Sequence, residues 1–251
     1  MKNNNIKGII FDYGGTLDSN GVHWAHIIWE AYEKTGIPVT KEQFREAYVY
    51  GERFLAQHPV ISADFNFKDL MKSKIKAEFD FLLEKGLLKQ SDLLQKQLLE
   101  IATICYEFAK KTVSESKGML EELHRHYPLA LVSNFYGNME TVLDDFGIRQ
   151  FFCKIIESAV VKIRKPDPAI FRLGVEELGL IPEEVVVIGD SYTKDIIPAK
   201  ECGCQTIWIK GKGWDKEEEK TPAADLIFEN VTALRRDSVT ADNNFILYKS
   251  N

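Results

Sequence analysis

The sequence predicts an α/β protein, in which a parallel sheet core carries an inserted bundle of α-helices. One observation is that short apolar segments alternate with segments of helical periodicity, a pattern typical of parallel sheets covered by helices. Another is a long stretch, residues 19–112, with helical periods and no strand between them. The third is that several apolar segments end at polar or acidic residues, which is where open α/β sheets bind their ligands.

The first predicted strand ends at a carboxylate. Ile6 to Phe11 is an apolar run with the length of a strand that is buried on both faces. Asp12 follows it, and Gly14 and Gly15 then allow a sharp turn of the chain. Asp12 is therefore either a functional group at the edge of the sheet or a residue that only begins a turn.

The inserted region begins after this turn. Gly36, Pro59 and Gly86 divide it into amphipathic segments, and Thr40 with Gln43 has the pattern of a capping box. Four helices are expected, over residues 22–34, 40–58, 67–83 and 91–110. Helices with one apolar face and short connections form bundles, so residues 19–112 are predicted to be a separate helical domain.

The alternating pattern returns near Gly118. Helices are expected over residues 119–127, 138–146, 168–178 and 193–202, and strands over residues 129–133, 153–157, 185–188, 205–209 and 226–228. Residues 1–18 and 113–235 are therefore predicted to form the α/β core. Residues 215–220 are expected to be a charged loop, and residues 236–251, which lack strong periodicity, a C-terminal tail.

Length and composition argue against several classes of protein. A chain of 251 residues with 45% hydrophobic and 28% charged residues can bury a sizeable core. Its net charge is −6 and it has no basic stripe, so we expect no nucleic-acid binding. The first apolar run is too short for a signal peptide or a membrane span. Cys202 and Cys204 are expected to be buried thiols rather than metal ligands, which fits a cytoplasmic location.

Four short segments place chemically active side chains beside predicted strands and helices. They are Asp12-Tyr13-Gly14-Gly15-Thr16, Ser133-Asn134, Lys165-Pro166, and Gly189-Asp190 with Asp195 five residues beyond Asp190. In this order the chain resembles the haloacid dehalogenase superfamily, over roughly residues 6–230. The resemblance implies a Rossmann-like core and a helical cap that closes over the active site. Most members of that family are phosphatases that form an aspartyl-phosphate.

The resemblance implies a nucleophile and a metal site. Asp12 is the candidate nucleophile, because a carboxylate can attack phosphorus and form an acyl-phosphate. Mg²⁺ is the expected cofactor, since it prefers carboxylate and other hard oxygen ligands. Asp12 and Asp190 are expected to supply carboxylates and Gly14 its backbone carbonyl. Asp195 is expected to act in the outer shell, on a metal-bound water or on Lys165.

The remaining implied residues bind the phosphoryl group. Lys165 supplies a positive charge to the phosphoryl oxygens and counts among the catalytic residues. The other candidates are Thr16, the hydroxyl of Ser133 and the backbone N–H of Asn134. The expected substrate is a small phosphorylated metabolite, and the sequence indicates neither its identity nor the oligomeric state.

Gly14 departs from the family pattern. Phosphatases of the family carry a second aspartate at this position, and it serves as general acid and base. A positioned general acid contributes ~10²–10⁴ in rate. Three outcomes stay open: the substrate has a good leaving group, a cap residue replaces the acid, or turnover is slow and the protein mainly binds. His23 is the candidate substitute, with His26 on the same helical face, because histidine titrates near neutral pH. The alternative is that both are interface or surface residues.

Three other functions stay open. Dehalogenases and phosphonate hydrolases of the family also lack the second acid, but dehalogenases need no metal, whereas Asp190 with Asp195 keeps the metal-binding pattern. Carbon–phosphorus hydrolysis needs a cap lysine that forms an imine with the substrate. The cap lysines considered for this role are all expected to be solvated: Lys34, Lys41, Lys68 and Lys72. A non-catalytic phosphate-binding protein is supported only by Gly14.

Overall fold

A computed structural model of the protein describes residues 6–214 and 224–235. The strands of this part of the chain are β1 (Gly8–Phe11), β2 (Leu129–Ser133), β3 (Lys154–Glu157), β4 (Val185–Gly189), β5 (Gln205–Ile209) and β6 (Leu226–Phe228). They form one sheet in the order β3-β2-β1-β4-β5-β6, and every pair is parallel. The predicted parallel sheet is confirmed.

The helices cover this sheet and form a bundle between β1 and β2. They are α1 (Trp24–Thr35), α2 (Lys41–Gln57), α3 (Phe67–Glu84), α4 (Asp92–His126), α5 (Met139–Asp145), α6 (Ser158–Val161), α7 (Ala169–Glu177) and α8 (Ile197–Cys202). In the bundle, α2 packs on α3, α3 on α4, and α1 on α4. We call α1 to α3 with the first half of α4 the helical cap. The residue bounds of the two domains, 1–18 with 113–235 and 19–112, stay a prediction.

Local side chains begin and end the cap helices as the sequence indicates. The capping box at the start of α2 is confirmed: the Thr40 hydroxyl accepts from the Gln43 N–H at 3.3 Å, and the Gln43 side chain accepts from the Thr40 N–H at 2.8 Å. Ser91 caps α4 by accepting from the Leu94 N–H. Gly36 ends α1 with a φ of 71°, a left-handed conformation that costs glycine least.

One helix, α4, replaces two predicted ones. The predicted helix ending near residue 110 and the next one beginning at residue 119 are a single helix of 35 residues. An internal glycine costs a helix only ~1 kcal/mol relative to alanine, so Gly118 does not break it. The segment contains no proline, and Ala109, Val113, Ser116 and Leu120 continue the buried face without a phase change.

The predicted helix over residues 193–202 begins differently. Tyr192–Ile196 forms a π-helical turn, and α8 follows it directly. Pro198 lies near the start of α8 and has no N–H to donate to the preceding turn. A widened turn is one way for a helix to accommodate that missing hydrogen bond.

The four inner strands β1, β2, β4 and β5 are buried on both faces, as their apolar composition predicts, whereas the edge strands β3 and β6 are partly exposed. Ile9 and Phe11 point into the core that also contains the helical cap, and Ile10 points into a second core with α7 and α8 on the other face. Burial of consecutive residues, in two cores on opposite faces, therefore stabilises β1 at the centre of the sheet. Its carboxyl end lies between those of β2 and β4.

Several remaining predictions concern single features. The predicted charged loop, residues 215–220, and the tail, residues 236–251, lie outside the described residues. Cys204 is buried and Cys202 half-buried, and all four cysteines are free thiols. In the described ranges, no helix combines the length and the hydrophobicity that a membrane crossing requires.

Candidate active site

Three neighbouring strands bring polar side chains to one edge of the sheet. Asp12 follows β1, Ser133 ends β2, and Asp190 follows β4. Phe11, the last residue of β1, pairs with Leu131 on one side and Ile188 on the other, so Ser133 and Asp190 both lie two residues beyond the partners of Phe11. The chain leaves β1 toward β2 on one side and returns through β4 on the other, and such a switch point is where α/β sheets bind ligands.

Asp12 is a buried carboxylate with three side-chain donors around it. Lys165 Nζ donates to Oδ1 at 2.6 Å, and the Ser133 hydroxyl lies 3.3 Å from the same oxygen. The Thr16 hydroxyl lies 3.0 Å from Oδ2 and 3.3 Å from Asp190 Oδ1. The structure thus brings these five predicted residues together, although they are distant in the sequence.

Lys165 is held by its backbone as well as by its charge. The side chain of Asn134 accepts from the Lys165 N–H at 2.9 Å and donates to the Lys165 carbonyl at 3.1 Å. Lys165 Nζ contacts Asp195 at 2.7 Å in addition to Asp12. Burial works against the charged form of this lysine, but the two carboxylates raise its pKa above the usual value. Lys165 is therefore an ammonium group held in one position. The Asn134 side chain stabilises the loop that carries Lys165 by binding its backbone.

The acidic groups are more numerous than the cations beside them. Ligand oxygens of Asp12, Asp190 and Asp195 lie within 4.8 Å of one another. Burial, and then the charges of Asp12 and Asp195, raise the pKa of Asp190 well above its usual range. Burial also raises the pKa of Asp195 to about 6, although Lys165 opposes the shift. A cluster of carboxylates with one lysine is a suitable set of ligands for a divalent cation, which would favour their ionised forms.

Asp195 is fixed by contacts on both oxygens. Oδ1 accepts from Lys165, and Oδ2 accepts from the Ser191 N–H at 3.0 Å. Its position on the π-helical turn gives this geometry. Of the two outer-shell contacts expected for Asp195, the structure contains the one to Lys165.

The two glycines after β1 have different surroundings. Gly15 has a φ of +95°, and a Cβ there would overlap the Asp190 carboxylate, so only glycine fits this close approach. Gly14 is exposed, and a Cβ there would meet no heavy atom within 4 Å. Gly14 therefore leaves a gap on the open side of the site.

A cavity of about 790 Å³ lies between this edge of the sheet and the helical cap. The predicted residues that line it are Asp12, Gly14, Ser133, Asn134, Lys165, Asp190 and Asp195. The cap contributes Glu52, Lys74 and several aromatic side chains, among them Tyr48. The arrangement can hold a small anionic molecule with one end at Asp12 and the other against the cap.

The two candidate histidines lie in different surroundings. His23 lines the cavity and caps α1, with Nδ1 accepting from the Ala25 N–H at 3.2 Å. Burial, and then the charge of Lys74, lower the pKa of His23 to about 4. Its ring is therefore neutral near pH 7. His26 is directed at the loop after β5, where Nε2 lies 2.9 Å from the Gly213 carbonyl and the ring packs on Trp214.

Two cap residues were missed by the sequence reasoning. Lys74 is buried and lines the cavity, and it forms an ion pair with Glu52 of α2. The signal was present, because Lys74 lies one turn after Leu70 on the apolar face of α3, where a charged residue is unusual. The four cap lysines considered from the sequence are exposed or half-buried, as expected.

Comparison with known proteins agrees with this geometry. A family model for the haloacid dehalogenase-like hydrolases matches residues 6–203. The phosphoglycolate phosphatase of Vibrio vulnificus is 28% identical over 217 residues, which are 83% of this chain and 86% of that protein. The glyceraldehyde 3-phosphate phosphatase of Methanocaldococcus jannaschii is 43% identical over 75 residues, 30% of this chain and 33% of that protein. The chain thus spans only about a third of the length of that relative.

The fold has a counterpart among solved structures. The crystal structure of the putative HAD-hydrolase YfnB from Bacillus subtilis, bound to magnesium, has a TM-score of 0.57 and 17% sequence identity, and the alignment covers 92% of this chain and 97% of that chain. At this identity the likeness concerns the fold. With a family model that matches most of the chain, a parallel sheet with an inserted helical cap, and the four segments gathered at one sheet edge, the chain belongs to the haloacid dehalogenase-like hydrolases.

Proposed function

We propose that the protein is a magnesium-dependent phosphatase that hydrolyses a small phosphorylated metabolite through an aspartyl-phosphate on Asp12. The observation that carries the proposal is the contact of one buried carboxylate, Asp12, with the ammonium group of Lys165 and the hydroxyls of Thr16 and Ser133. Three relatives are named as phosphatases, one that matches most of the chain and two that match part of it, and these names support the same reaction.

The residues divide the reaction into two displacements. In the first, an Asp12 oxygen attacks phosphorus and the bond to the leaving oxygen breaks; in the second, water attacks the aspartyl-phosphate and the carboxylate is restored. Lys165 and Ser133 stabilise the negative charge on the phosphoryl oxygens. Thr16 and the Asn134 N–H are assigned to the same group of donors.

The metal assignment rests on the donor set. Asp12, Asp190 and the Gly14 carbonyl would hold Mg²⁺, and Asp195 would orient Lys165. When bound, the ion neutralises phosphoryl charge and orients the substrate. The excess of carboxylates over cations at the site supports this, because burial and mutual repulsion disfavour their ionised forms without a cation.

The cavity supports a small anionic substrate. Three exposed cations line it beyond the sheet edge: Arg53, Arg164 and Lys194. Because Gly14 supplies no acid, a substrate with a good leaving group, such as an acyl phosphate, is expected to react fastest. A location in the cytoplasm stays a prediction from the sequence.

The test is phosphate release from a panel of phosphate esters and acyl phosphates. We expect release with Mg²⁺, loss of release with a chelator, and loss of release in Asp12→Asn at unchanged folding. Tight binding of inorganic phosphate by a protein that releases none from any substrate would instead support a binding role. Halide release from a haloacid without a metal would support dehalogenation.

Carbon–phosphorus hydrolysis is a second candidate, and one observation favours it. The buried Lys74 lies in the cavity, where the sequence had indicated only solvated cap lysines. An imine between Lys74 and a carbonyl group of the substrate needs a neutral amine, so the ion pair with Glu52 has to break first. Borohydride in the presence of an aldehyde-bearing phosphonate would then inactivate the protein irreversibly, with a covalent adduct on Lys74. The control is Lys74→Arg, which cannot form the imine and should form no covalent adduct under the same treatment.

A further inference from the structure

Lys74 is a buried charge in a position where packing needs none. It is 6% exposed and lies on the face of α3 that also buries Leu70, Met71 and Ile75. Burying an ammonium group is strongly unfavourable unless partners compensate for its lost hydration. Leucine or methionine would fill the same space, so the position of this lysine indicates a role for its charge.

The described contacts of Lys74 do not use all the donors of its ammonium group. Among the described residues, Nζ makes one ion pair, with Glu52, and lies 4.6 Å from the centre of the Tyr48 ring. Tyr136, from the loop after β2, donates to the other Glu52 oxygen at 3.2 Å. An ammonium group has three N–H donors, so Glu52 does not use them all. Glu52 and Tyr48 thus hold Nζ in place while Lys74 lines the cavity.

The cavity that Lys74 lines also contains the gap at Gly14. Lys74 and Gly14 line the same space, and no atom lies where a side chain at Gly14 would begin. The charge of Lys74 also reaches the loop around this gap. Burial raises the pKa of Asp18 to about 7, the N–H donors of Gly15 and Trp24 oppose the shift, and Lys74 opposes it further.

Two other candidates for an acid at this gap fit less well. Asp18 has both oxygens engaged, one by the Gly15 N–H at 2.7 Å and one by the Trp24 indole N–H at 2.9 Å, so it stabilises the turn. His23 has Nδ1 engaged at the start of α1 and a pKa of about 4, so it holds no acidic proton near pH 7. These contacts therefore favour Lys74 over His23 as the group that reaches the leaving oxygen.

We propose that Lys74 is the group that protonates the leaving oxygen, in place of the acid missing at Gly14. The proposal rests on the phosphatase function proposed above. As the Asp12 oxygen bonds to phosphorus, the bond from phosphorus to the substrate oxygen breaks and its electron pair stays on that oxygen. This oxygen takes a proton from Lys74 Nζ, which becomes a neutral amine. Lys74 then takes a proton from the water that attacks the aspartyl-phosphate, and both Asp12 and Lys74 return to their starting states.

The test compares leaving groups of different basicity. An alkyl phosphate such as glycerol phosphate needs a proton on its leaving oxygen, whereas p-nitrophenyl phosphate leaves as a stable phenolate. We expect Lys74→Met to lower kcat/KM for the alkyl phosphate by ~10²–10⁴ and for p-nitrophenyl phosphate far less. Lys74→Arg is the decisive second variant, because it keeps a cation beside Glu52 but does not release a proton at neutral pH.

The outcomes separate a proton donor from a structural ion pair. Selective loss of alkyl phosphate hydrolysis in both variants supports the proposal. Equal losses on both substrates, or full rescue by arginine, would overturn it. If Lys74→Met fails to fold, Lys74→Arg alone decides between these results. Lys72→Met, half-buried and paired with Asp69 on the same helix, is the matched control and should behave as wild type.

Failure of the phosphatase function gives a different result. In that case the unaltered protein releases phosphate from neither substrate. If the unaltered protein is active and Asp12→Asn is not, the phosphatase function stands whatever Lys74 does.

Discussion

At the scale of single residues, Gly14 is the position of the site where a side chain could be added. A Cβ there meets open space, and the backbone does not have the positive φ that would exclude a side chain. The neighbouring Gly15 has both restrictions, since it has a φ of +95° and touches Asp190. The absence of an acid at residue 14 is therefore a property of the sequence and not a requirement of the fold.

We predict that Gly14→Asp increases the hydrolysis of alkyl phosphates. A Cβ at residue 14 meets no heavy atom within 4 Å, so the carboxyl group of an aspartate there should reach the cavity and serve as an acid in addition to Lys74. The expected gain in kcat is up to ~10², with little change for p-nitrophenyl phosphate. Gly14→Asn, which matches the size of the aspartate without its acidity, is the control. Steady-state rates equal in both variants would show that a lack of acid does not limit turnover.

The site residues differ in how far the sequence predicts them. Asp12, Ser133 and Asp190 could be placed together because each follows an apolar run, and parallel strands end at one edge. Lys165 needed the resemblance, since an isolated lysine before a helix is usually solvated. The unusual place of Lys74 on the apolar face of α3 can be recognised in the sequence. Its place in the cavity cannot, because that depends on how α3 packs over the sheet, and helical periodicity does not define that packing.

At the scale of helices, α3 carries a buried acid, Glu78, at its contact with α1 and α2. Glu78 is fully buried, and its Oε2 accepts from the Tyr32 hydroxyl of α1 at 2.7 Å. Among the described residues its other oxygen has no hydrogen-bond partner. A Cβ on Gly51 of α2 would lie 3.0 Å from Glu78 Cγ, so the helices approach closely here. Burial raises the pKa of Glu78 to about 7.

We predict that Glu78 makes the cap less stable as pH rises. The folded-state pKa lies above the unfolded value, so the folded protein binds more protons between these two values. Stability is therefore highest below the unfolded pKa and falls as pH rises through about 7. The shift corresponds to ~3 kcal/mol at full ionisation. Glu78→Gln, which cannot ionise, should lose less stability between pH 5 and pH 8 in thermal melts.

Glu84→Gln, an exposed site at the end of the same helix, is the matched control. It should retain the pH dependence of the unaltered protein. If Glu78→Gln retains it as well, the assigned ionisation of Glu78 is wrong.

The sequence predicted the helices and strands themselves better than the boundaries between successive helices. The strands could be predicted because most of them are short apolar runs, and the four inner ones are buried on both faces. The continuity of α4 could not, because Gly118 and a polar stretch resemble a helix end when packing is not considered. The π-helical turn before α8 was not indicated by the sequence, and it matters more for the proposed function because it carries Asp195.

At the scale of the whole molecule, the helical cap meets the core on two sides of the cavity. On one side the Asn138 side chain donates to the Phe65 carbonyl at 2.8 Å. On the other the loop after β5 holds the start of α1, where the His23 N–H donates to the Lys212 carbonyl at 2.9 Å. Gly211 of this loop lies against Gly21, which has a φ of +84°.

We predict that Gly211→Ala disturbs closure of the cap without disturbing the sheet edge. The added Cβ would overlap the Gly21 backbone, so the start of α1 has to move away from the loop. Displacements of about 1 Å can cost up to ~10² in rate, so kcat/KM should fall substantially. The proposed metal ligands should keep their positions, so any Mg²⁺ affinity of the unaltered protein, measured by calorimetry, should not change. Lys212→Ala removes an exposed side chain from the same loop and should have little effect. If Gly211→Ala matches that control in kcat/KM, the close approach of the two glycines does not govern how the cap meets the core.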